Sequence, residues 1–130
     1  MDVLLDTCCV IWAASDPDRL SARAREILAS EDTLAFVSPA SCAELACLWE
    51  RDRVRLDRHW KAWFNAAVDL NAWNVEVIDL ELVQEAGSLP GEFHADPADR
   101  ILVATARVRG YTILTGDRRI LEYPHVRSLW

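Results

Sequence analysis

The stretch "DPADRILVATARVRGYTILTGD" (96–117) decides the fold, because it joins a helix to a strand with almost no residues between them. Asp96 is a favoured N-cap, Pro97 suits the first helical position, and Gly110 suits the residue after a helix. The segment "YTILT" (111–115) then has the β-branched and aromatic composition of a strand. The stretch therefore predicts a helix that runs directly into a strand.

The same alternation of strands and helices runs through the rest of the chain. Apolar or alternating segments predict strands at 2–5, 33–38, 74–80, 111–115 and 125–130. Helical patterns are expected at 19–30, 38–52, 57–71, 80–87, 96–110 and 116–123, with Ser21 and Ser38 as N-caps. Strands that alternate with helices pair in parallel through right-handed crossovers. The predicted fold class is α/β, a three-layer α/β/α domain with a central, mostly parallel sheet.

Length and composition indicate one globular domain over residues 1–130. The chain is 52% apolar and 27% charged, and no apolar run is long enough to span a bilayer. No basic segment followed by an apolar stretch marks a signal peptide, so we expect a cytoplasmic protein with no membrane partner. The net charge of −7 argues against coating of nucleic acid through bulk charge, although an enzyme that contacts nucleic acid locally remains compatible with it.

Four cysteines occur, at positions 8, 9, 42 and 47. They show neither CxxC spacing nor histidine neighbours, which argues against a zinc site. We expect all four to be reduced and to lie in or near the core, as small apolar residues.

Four carboxylates are predicted to meet at one edge of the sheet. Asp6 follows the first strand and Asp117 follows the "YTILT" strand, and the active crevice of a parallel sheet lies beyond the carboxyl ends of its strands. Asp99 lies in the first turn of a helix whose N-terminus points to that same edge. Glu44 lies about one and a half turns into its helix, and helical side chains lean toward the N-terminus, so Glu44 reaches the crevice from an inner face.

Such a cluster repels itself and raises its own pKa values unless a cation neutralises it. Mg²⁺ and Mn²⁺ prefer carboxylate and water oxygens and leave positions open for phosphate oxygens. One or two such ions lower the pKa of a bound water and stabilise displacement at phosphorus. The pattern therefore favours a metal site for phosphodiester chemistry.

Each acid also has an ordinary structural explanation. Asp6 can cap the helical turn that follows it, and Asp96 with Asp99 resembles a capping box. Glu44 is a good helix former that usually faces solvent, and Asp117 fits an ordinary turn. Their expected common edge, and no single one of them, favours the metal-ligand interpretation.

Three hydroxyl side chains flank these acids and are candidate supporting residues. Thr7 directly follows Asp6, Thr115 ends the "YTILT" strand, and Ser41 lies one turn before Glu44. A hydroxyl can hold a carboxylate or a water by hydrogen bonding. Strand propensity and helix capping explain the same residues equally well.

Three longer motifs resemble one known family over essentially the whole chain. They are "LLDTCCVIW" (4–12), "VSPASCAELACLWERDRVRL" (37–56) and "HADPADRILVATARVRGYTILTGDRRI" (94–120). Together they resemble the PIN-domain ribonucleases, specifically the VapC-type toxins of toxin–antitoxin pairs.

The resemblance implies a function and a set of site residues. The family's acids match Asp6, Glu44, Asp99 and Asp117, and Asp96 matches an additional acid often seen in this subgroup. It implies an endoribonuclease dependent on Mg²⁺ or Mn²⁺, a homodimer, and neutralisation by a cognate antitoxin whose segment covers the site.

The chain departs from the family pattern at two places. Cys8 occupies a position that is usually histidine in this subgroup, and the segment after Glu44 lacks the lysine and glycine that are common there. Neither departure touches the acids, but both bear on contacts to the substrate.

Contacts to RNA and to protein partners are expected at basic and aromatic residues. The segment "RDRVRLDRHWK" (51–61) is rich in arginine, and Arg100, Arg118 and Arg119 adjoin the acids; a solvated face explains these cations as well as RNA binding does. Several tryptophans are candidates for the core, a dimer interface or an antitoxin groove, with the core expected for most: Trp49, Trp60, Trp63 and Trp73.

Two other functions are compatible with parts of the sequence. Phosphoryl transfer through an aspartyl intermediate would use Asp6 as the nucleophile. A haloacid-dehalogenase-like enzyme would need a second acid two residues after Asp6, where Cys8 stands. A response-regulator receiver would need paired acids before the first helix and a lysine late in the chain, and the only lysine is Lys61. A catalytically silent PIN-like module that only binds RNA or protein is the second alternative. Retention of all four acids argues against it.

Overall fold

A computed structural model describes residues 1–130 and places a fully parallel sheet at the centre of the chain. Its five strands are β1 (Asp2–Leu5), β2 (Leu34–Val37), β3 (Asn74–Val75), β4 (Thr112–Leu114) and β5 (Ser128–Leu129). They are ordered β3-β2-β1-β4-β5, with every neighbouring pair parallel. The predicted α/β/α fold is confirmed.

Seven helices connect and cover the strands. They are α1 (Thr7–Ser15), α2 (Ala22–Ala29), α3 (Pro39–Glu50), α4 (Trp60–Asn71), α5 (Leu80–Gly87), α6 (Pro97–Arg109) and α7 (Arg118–Leu121), with a 3₁₀ turn at Pro17–Arg19. None of the helices is long and apolar enough to cross a membrane.

The central strand β1 separates two hydrophobic cores. Val3 and Leu5 point to the side covered by α1 to α4, whereas Leu4 points to the side covered by α5, α6 and α7. All three side chains are fully buried, and burial of each contributes about 1.5–3 kcal/mol. The period-2 alternation of a strand thus produces the three layers.

The helix ends follow the predicted capping chemistry. The hydroxyls of Ser21 and Ser38 accept the backbone N–H of the third and second residues beyond them, each at 3.0 Å. Asp96 caps α6 by accepting the N–H of Asp99 at 3.0 Å. Gly110 ends α6 with a φ of +78°, which a residue without Cβ adopts without strain.

The structure differs from the expected elements in four places. Helix α1 was not predicted, because its nine residues are almost all apolar and show no polar face to set a helical period. Helix α4 begins at Trp60, three residues later than expected, with His59 as its N-cap. The strands predicted at 74–80 and 125–130 are each only two residues long.

The residue after the short β3 strand bonds to residues that are distant in sequence. Glu76 donates its N–H to Val37 and then turns its carboxylate toward the hydroxyl of Tyr111 and the guanidinium of Arg109. Asp79 follows as the N-cap of α5 and accepts the N–H of its third residue. The chain therefore leaves the sheet to begin a helix.

The cysteines only partly match the expectation for them. All four are free thiols, and Cys9 is buried in the core beside β1. Cys42 is half-buried, but Cys8 and Cys47 are exposed, so the prediction of a core or near-core position is wrong for these two. Their helices α1 and α3 turn these positions away from the sheet.

The tryptophans also divide between the core and the surface. Trp63 and Trp73 are buried within the core that faces α4. Trp49 and Trp60 remain half-buried, and each lies beside the His59 ring.

Candidate metal centre

Asp6 is both a helix cap and a lining residue of the carboxyl edge. It follows β1 directly and is only 6% exposed. Its Oδ1 accepts the backbone N–H of Thr7 at 2.7 Å, and its Oδ2 accepts the hydroxyl of Thr115 at 2.6 Å. The capping and cleft-lining interpretations of Asp6 are therefore compatible, because one carboxylate fills both positions.

Three acids from α3 and the start of α6 form the tightest cluster. Glu44, Asp96 and Asp99 each offer an oxygen, and these oxygens all lie within 4.8 Å of one another. Asp99 is 6% exposed, Glu44 is half-buried and Asp96 is exposed. The sequence predicts only a supporting role for Asp96. In the structure Asp96 instead offers an oxygen to the same cluster as Glu44 and Asp99.

Asp117 reaches the same edge from the end of β4. It caps the short helix α7 by accepting the N–H of Arg119 at 2.9 Å, and its own N–H donates to Thr115 Oγ1 at 3.0 Å. The Arg119 guanidinium donates to Asp117 Oδ2 at 2.9 Å and to Asp99 Oδ2 at 3.5 Å. Arg119 therefore bridges two of the acids.

Thr7 and Ser41 join helices α1 and α3, and the Thr7 hydroxyl also lowers the pKa of the Glu44 carboxylate. The Thr7 hydroxyl donates to Ser41 Oγ at 3.0 Å, which ties α1 to α3, and both residues are buried. This contact fixes the helix that carries Glu44 against the strand end that carries Asp6.

His94 is a site residue that the sequence reasoning missed. Its Nε2 lies 2.7 Å from Asp99 Oδ2, the same oxygen that Arg119 approaches. The Arg100 guanidinium donates to the carbonyls of Phe93 and His94 and so fixes the loop. His94 lies two residues before the α6 N-cap, which was the only hint in the sequence that it lies near the acids. The path of the loop that carries His94 depends on the contacts of Arg100.

The acids line one cavity of about 260 Å³, called here the acidic cleft. Its lining residues are Asp6, Cys8, Trp12, Glu44, Asp96, Asp99, Gly116, Asp117 and Arg119. Cys8 is exposed at its outer side, but partial loss of hydration inside the cleft and the neighbouring carboxylates raise the pKa of its thiol to about 11. Cys8 is therefore a neutral thiol near neutral pH and not a thiolate nucleophile.

The electrostatics of the acidic cleft suit a hard cation. Burial raises the pKa of Asp6, Glu44 and Asp99, and the neighbouring acids raise them further. The pKa of Asp117 is lowered, chiefly because the Arg119 guanidinium donates to it. Clustered carboxylates whose ionisation is suppressed gain most from a divalent ion, and an all-oxygen donor set fits Mg²⁺ or Mn²⁺.

A larger and more apolar groove adjoins the acidic cleft. It encloses about 650 Å³ between α3 and α6, and Glu44 and Asp96 line both spaces. Its apolar lining includes Ala43, Leu48 and Ile101. Arg51 and Arg53 contribute the basic part of its lining.

The predicted basic residues occupy different environments. Most cations of the 51–61 segment are exposed and make no ion pair: Arg51, Arg53, Arg55 and Lys61. Arg58 pairs with Asp57, and Arg118 pairs with Glu122. Arg100 donates to the backbone carbonyls of Ala86 in α5 and of Phe93 and His94 in the loop, so its guanidinium is not free to bind RNA.

Known proteins share both the sequence and the fold of this chain. A family model described as the PIN domain matches residues 3–126. Ribonuclease VapC22 of Mycobacterium tuberculosis is 34% identical over 129 residues, an alignment that covers 98% of this chain and 95% of that protein.

Solved structures show the same fold at lower identity. DNA-bound VapBC from Salmonella typhimurium aligns with a TM-score of 0.69 at 19% identity, covering 99% of this chain and 97% of that chain. VapBC2 from Rickettsia felis, bound to a promoter DNA fragment, aligns with a TM-score of 0.67 at 17% identity. The alignment covers 99% of this chain and 98% of that chain. The family match and the VapC22 identity confirm the resemblance seen in the sequence, and the chain belongs to the PIN domain family as a VapC-type member.

Proposed function

We propose that this chain is a metal-dependent endoribonuclease that acts as the toxin of a toxin–antitoxin pair. The observation that carries the proposal is the cluster of Glu44, Asp96 and Asp99 oxygens within 4.8 Å, in a cleft that Asp6 and Asp117 also line. The 34% identity to a VapC ribonuclease supports RNA as the substrate.

The five acids have two different roles in binding Mg²⁺ or Mn²⁺. Glu44, Asp96 and Asp99 would supply ligand oxygens, while Asp6 and Asp117 add negative charge from the ends of β1 and β4. When bound, such an ion supplies an activated water and neutralises charge at the phosphate.

Other residues of the acidic cleft position these acids and face the substrate. His94 and Thr115 each hold one carboxylate in place, on Asp99 and Asp6 respectively. The Arg119 side chain is 61% exposed, so it can turn from Asp117 toward a phosphate at little cost. Arginine forms paired hydrogen bonds with phosphate oxygens, and this suits Arg119 to contact the RNA backbone.

The decisive experiment is RNA cleavage by the purified protein with Mn²⁺, Mg²⁺ or EDTA. We expect cleavage with a divalent ion, no cleavage with EDTA, and a loss of about 100-fold or more in Asp99→Asn and Glu44→Gln. Glu50→Gln is the matched control, because Glu50 is exposed at the far end of the same helix α3. Cleavage that persists in EDTA or in Asp99→Asn contradicts the metal-nuclease proposal.

A folded wild-type protein that cuts no RNA with either metal favours the alternative, a silent PIN-like binding module. The toxin role is tested separately, by growth of cells that express the chain. We expect growth arrest by the wild type, no arrest by Asp99→Asn, and relief by the product of a small upstream reading frame. Arrest that persists in Asp99→Asn contradicts toxicity through RNA cleavage.

The groove between α3 and α6 is the proposed seat of the antitoxin segment. A segment bound there closes the acidic cleft, because Glu44 and Asp96 border both spaces. Ala43 is an exposed lining residue of the groove, so Ala43→Arg should block the segment while RNA cleavage continues. Antitoxin relief that survives Ala43→Arg contradicts this placement.

The proposed homodimer has a candidate surface beside the edge strand β3. Several large apolar side chains are exposed within one segment of nine residues: Val75, Val77, Leu80 and Val83. Exposed apolar groups concentrated in this way mark interfaces more often than isolated ones do. Replacing Val77 and Leu80 with Glu should convert a dimer to a monomer in light scattering, whereas Leu70→Glu, an 85% exposed position on α4, should not.

A further inference from the structure

One wall of the acidic cleft takes no part in holding a metal ion. Trp12 lies on α1, six residues beyond Asp6, and its indole lines the same cavity as the acids. An oxygen-ligated ion needs carboxylates and water around it, not an aromatic surface. We propose, on the basis of the ribonuclease function above, that Trp12 stacks an unpaired base of the RNA next to the phosphate that is cut.

The indole of Trp12 packs against Trp130, which in turn packs against the loop that carries Asp117. The two tryptophan rings have 5.9 Å between their centroids and 54° between their planes. Trp130 in turn lies so close to Gly116 that a Cβ there would come within 3.1 Å of the ring. Because Gly116 directly precedes Asp117, the aromatic pair and the acid-bearing loop form one packed unit, and a base stacked on Trp12 is positioned relative to the acids.

A free cation lies over the Trp12 ring. The guanidinium carbon of Arg19 is 4.7 Å from the ring centroid. Arg19 is exposed and makes no ion pair and no side-chain hydrogen bond, although the chain carries 21 acids; the adjacent Asp18 pairs with Arg25 instead. Arg19 does not line the acidic cleft, so it adjoins the cleft only through Trp12. Because no carboxylate holds Arg19, its guanidinium is available to a phosphate of a neighbouring nucleotide.

These features match the chemistry of single-stranded RNA. Every base has a π-face that stacks on an aromatic side chain, and the backbone binds adjacent cations. The cleft's volume of about 260 Å³ is smaller than the ~300–1,000 Å³ typical of small-molecule sites, so it suits one unit of a longer chain. Trp12 provides the apolar wall, Arg19 the cation, and the acids the adjoining metal site.

Two probes separate base stacking from backbone binding. They are a short fluorescent single-stranded RNA and an abasic ribose-phosphate chain of the same length, titrated into protein that carries Asp99→Asn so that the RNA is not cut. We expect Trp12→Ala to weaken binding of the RNA about tenfold. Its affinity for the abasic chain should stay within about twofold of that of the protein that carries only Asp99→Asn. Trp12→Phe should retain most of the RNA affinity, because it retains an aromatic face.

Two further variants complete the comparison. Arg19→Gln should weaken both probes by a similar factor, because it removes a phosphate contact. Trp49→Ala is the control, since Trp49 is half-buried like Trp12 but lines a different cavity, with Val54 and Leu56. A Trp12→Ala protein that loses affinity for both probes equally, or for neither, overturns the proposal.

Trp12 also packs against the core, so a measurement without any change at Trp12 is needed. Ultraviolet cross-linking of the RNA to the Asp99→Asn protein, followed by peptide mass spectrometry, should identify Trp12. Cross-links that map elsewhere and never to Trp12 overturn the stacking proposal. If cross-links never map to Trp12 but the wild type cleaves RNA with Mn²⁺, only the stacking proposal fails and the ribonuclease function stands. If the wild type cleaves no RNA, the ribonuclease function itself is overturned.

Discussion

Thr115 Oγ1 donates a hydrogen bond of 2.6 Å to Asp6 Oδ2 and thereby joins the end of β4 to the end of β1. The same hydroxyl oxygen accepts the N–H of Asp117 at 3.0 Å. One buried threonine therefore fixes two acids that arise from neighbouring strands. Its hydrogen bond also lowers the pKa of Asp6 and so opposes the increase caused by burial.

Replacing this hydroxyl should weaken the metal site. In Thr115→Val, Asp6 loses a donor that favours its ionised form, and we expect Mn²⁺ affinity to fall by about tenfold or more. Titration calorimetry measures this directly, and Thr115→Ser should retain the affinity. Thr112→Val is the control on the same strand, because the Thr112 side chain makes no hydrogen bond. Equal Mn²⁺ affinity in Thr115→Val and wild type would show that Thr115 does not support the site.

Removing the Arg119 guanidinium should strengthen Mn²⁺ binding. Arg119 bonds to oxygens of Asp117 and Asp99, and its positive charge beside the ligand Asp99 opposes the binding of a cation there. We expect Arg119→Gln to unfold at a lower temperature without metal and to bind Mn²⁺ about threefold to tenfold more tightly. Arg118→Gln removes the same charge from a residue that pairs with Glu122, and it should show neither effect. Identical behaviour of the two variants would indicate a general charge effect without direct competition.

The stability of the metal-free protein should increase on mild acidification. The pKa values of Asp6, Glu44 and Asp99 are raised above the ordinary 3.8 for Asp and 4.5 for Glu. The folded state therefore binds these protons more tightly than the unfolded chain, and the stabilisation is lost as pH rises through the raised values. Asp117 has a lowered pKa, so its contribution is present above about 3.8 and is lost only at more acidic pH.

The measurement is the unfolding temperature in EDTA as the pH is lowered from neutrality toward the ordinary carboxyl pKa values of 3.8 and 4.5. We expect the increase on acidification to be smaller in Asp99→Asn than in the wild type, because that variant lacks one of the three raised carboxyls. With saturating Mn²⁺ the sign should reverse, since protons then compete with the metal for the carboxylates. An equal increase in both metal-free proteins would contradict the role assigned to Asp99.

The common edge of the acids was predictable because parallel topology leaves little choice. Asp6 and Asp117 end adjacent strands, and a right-handed crossover requires the start of α6, with Asp99, to lie at that edge. Asp96 and Ser38 were also predicted correctly as helix N-caps, because capping depends only on residues that are close in sequence. Where chain connectivity fixes the geometry, the positions of individual residues can be predicted from the sequence.

The remainder depends on contacts between segments that are distant in sequence. His94 reaches Asp99 because Arg100 also bonds to Ala86, a residue of α5, and so fixes the intervening loop. The alternating pattern at 74–80 predicted a strand, yet Val75 and Val77 are exposed and only two residues pair with β2. Alternation alone does not reveal whether a neighbouring strand is long enough to continue the pairing.

A final prediction concerns the end of α4, where Ala72 adopts a left-handed conformation with a φ of +53°. A Cβ is strained there, whereas glycine is not, and Ala72 is exposed, so its methyl group contributes little packing. Ala72→Gly should therefore raise the free energy of unfolding by about 1 kcal/mol in urea titrations. Ala66→Gly, in the interior of the same helix, should lower it by about 1 kcal/mol, because glycine there loses more backbone entropy on folding. Destabilisation by both changes would show that the strain at Ala72 is smaller than the entropy cost of glycine.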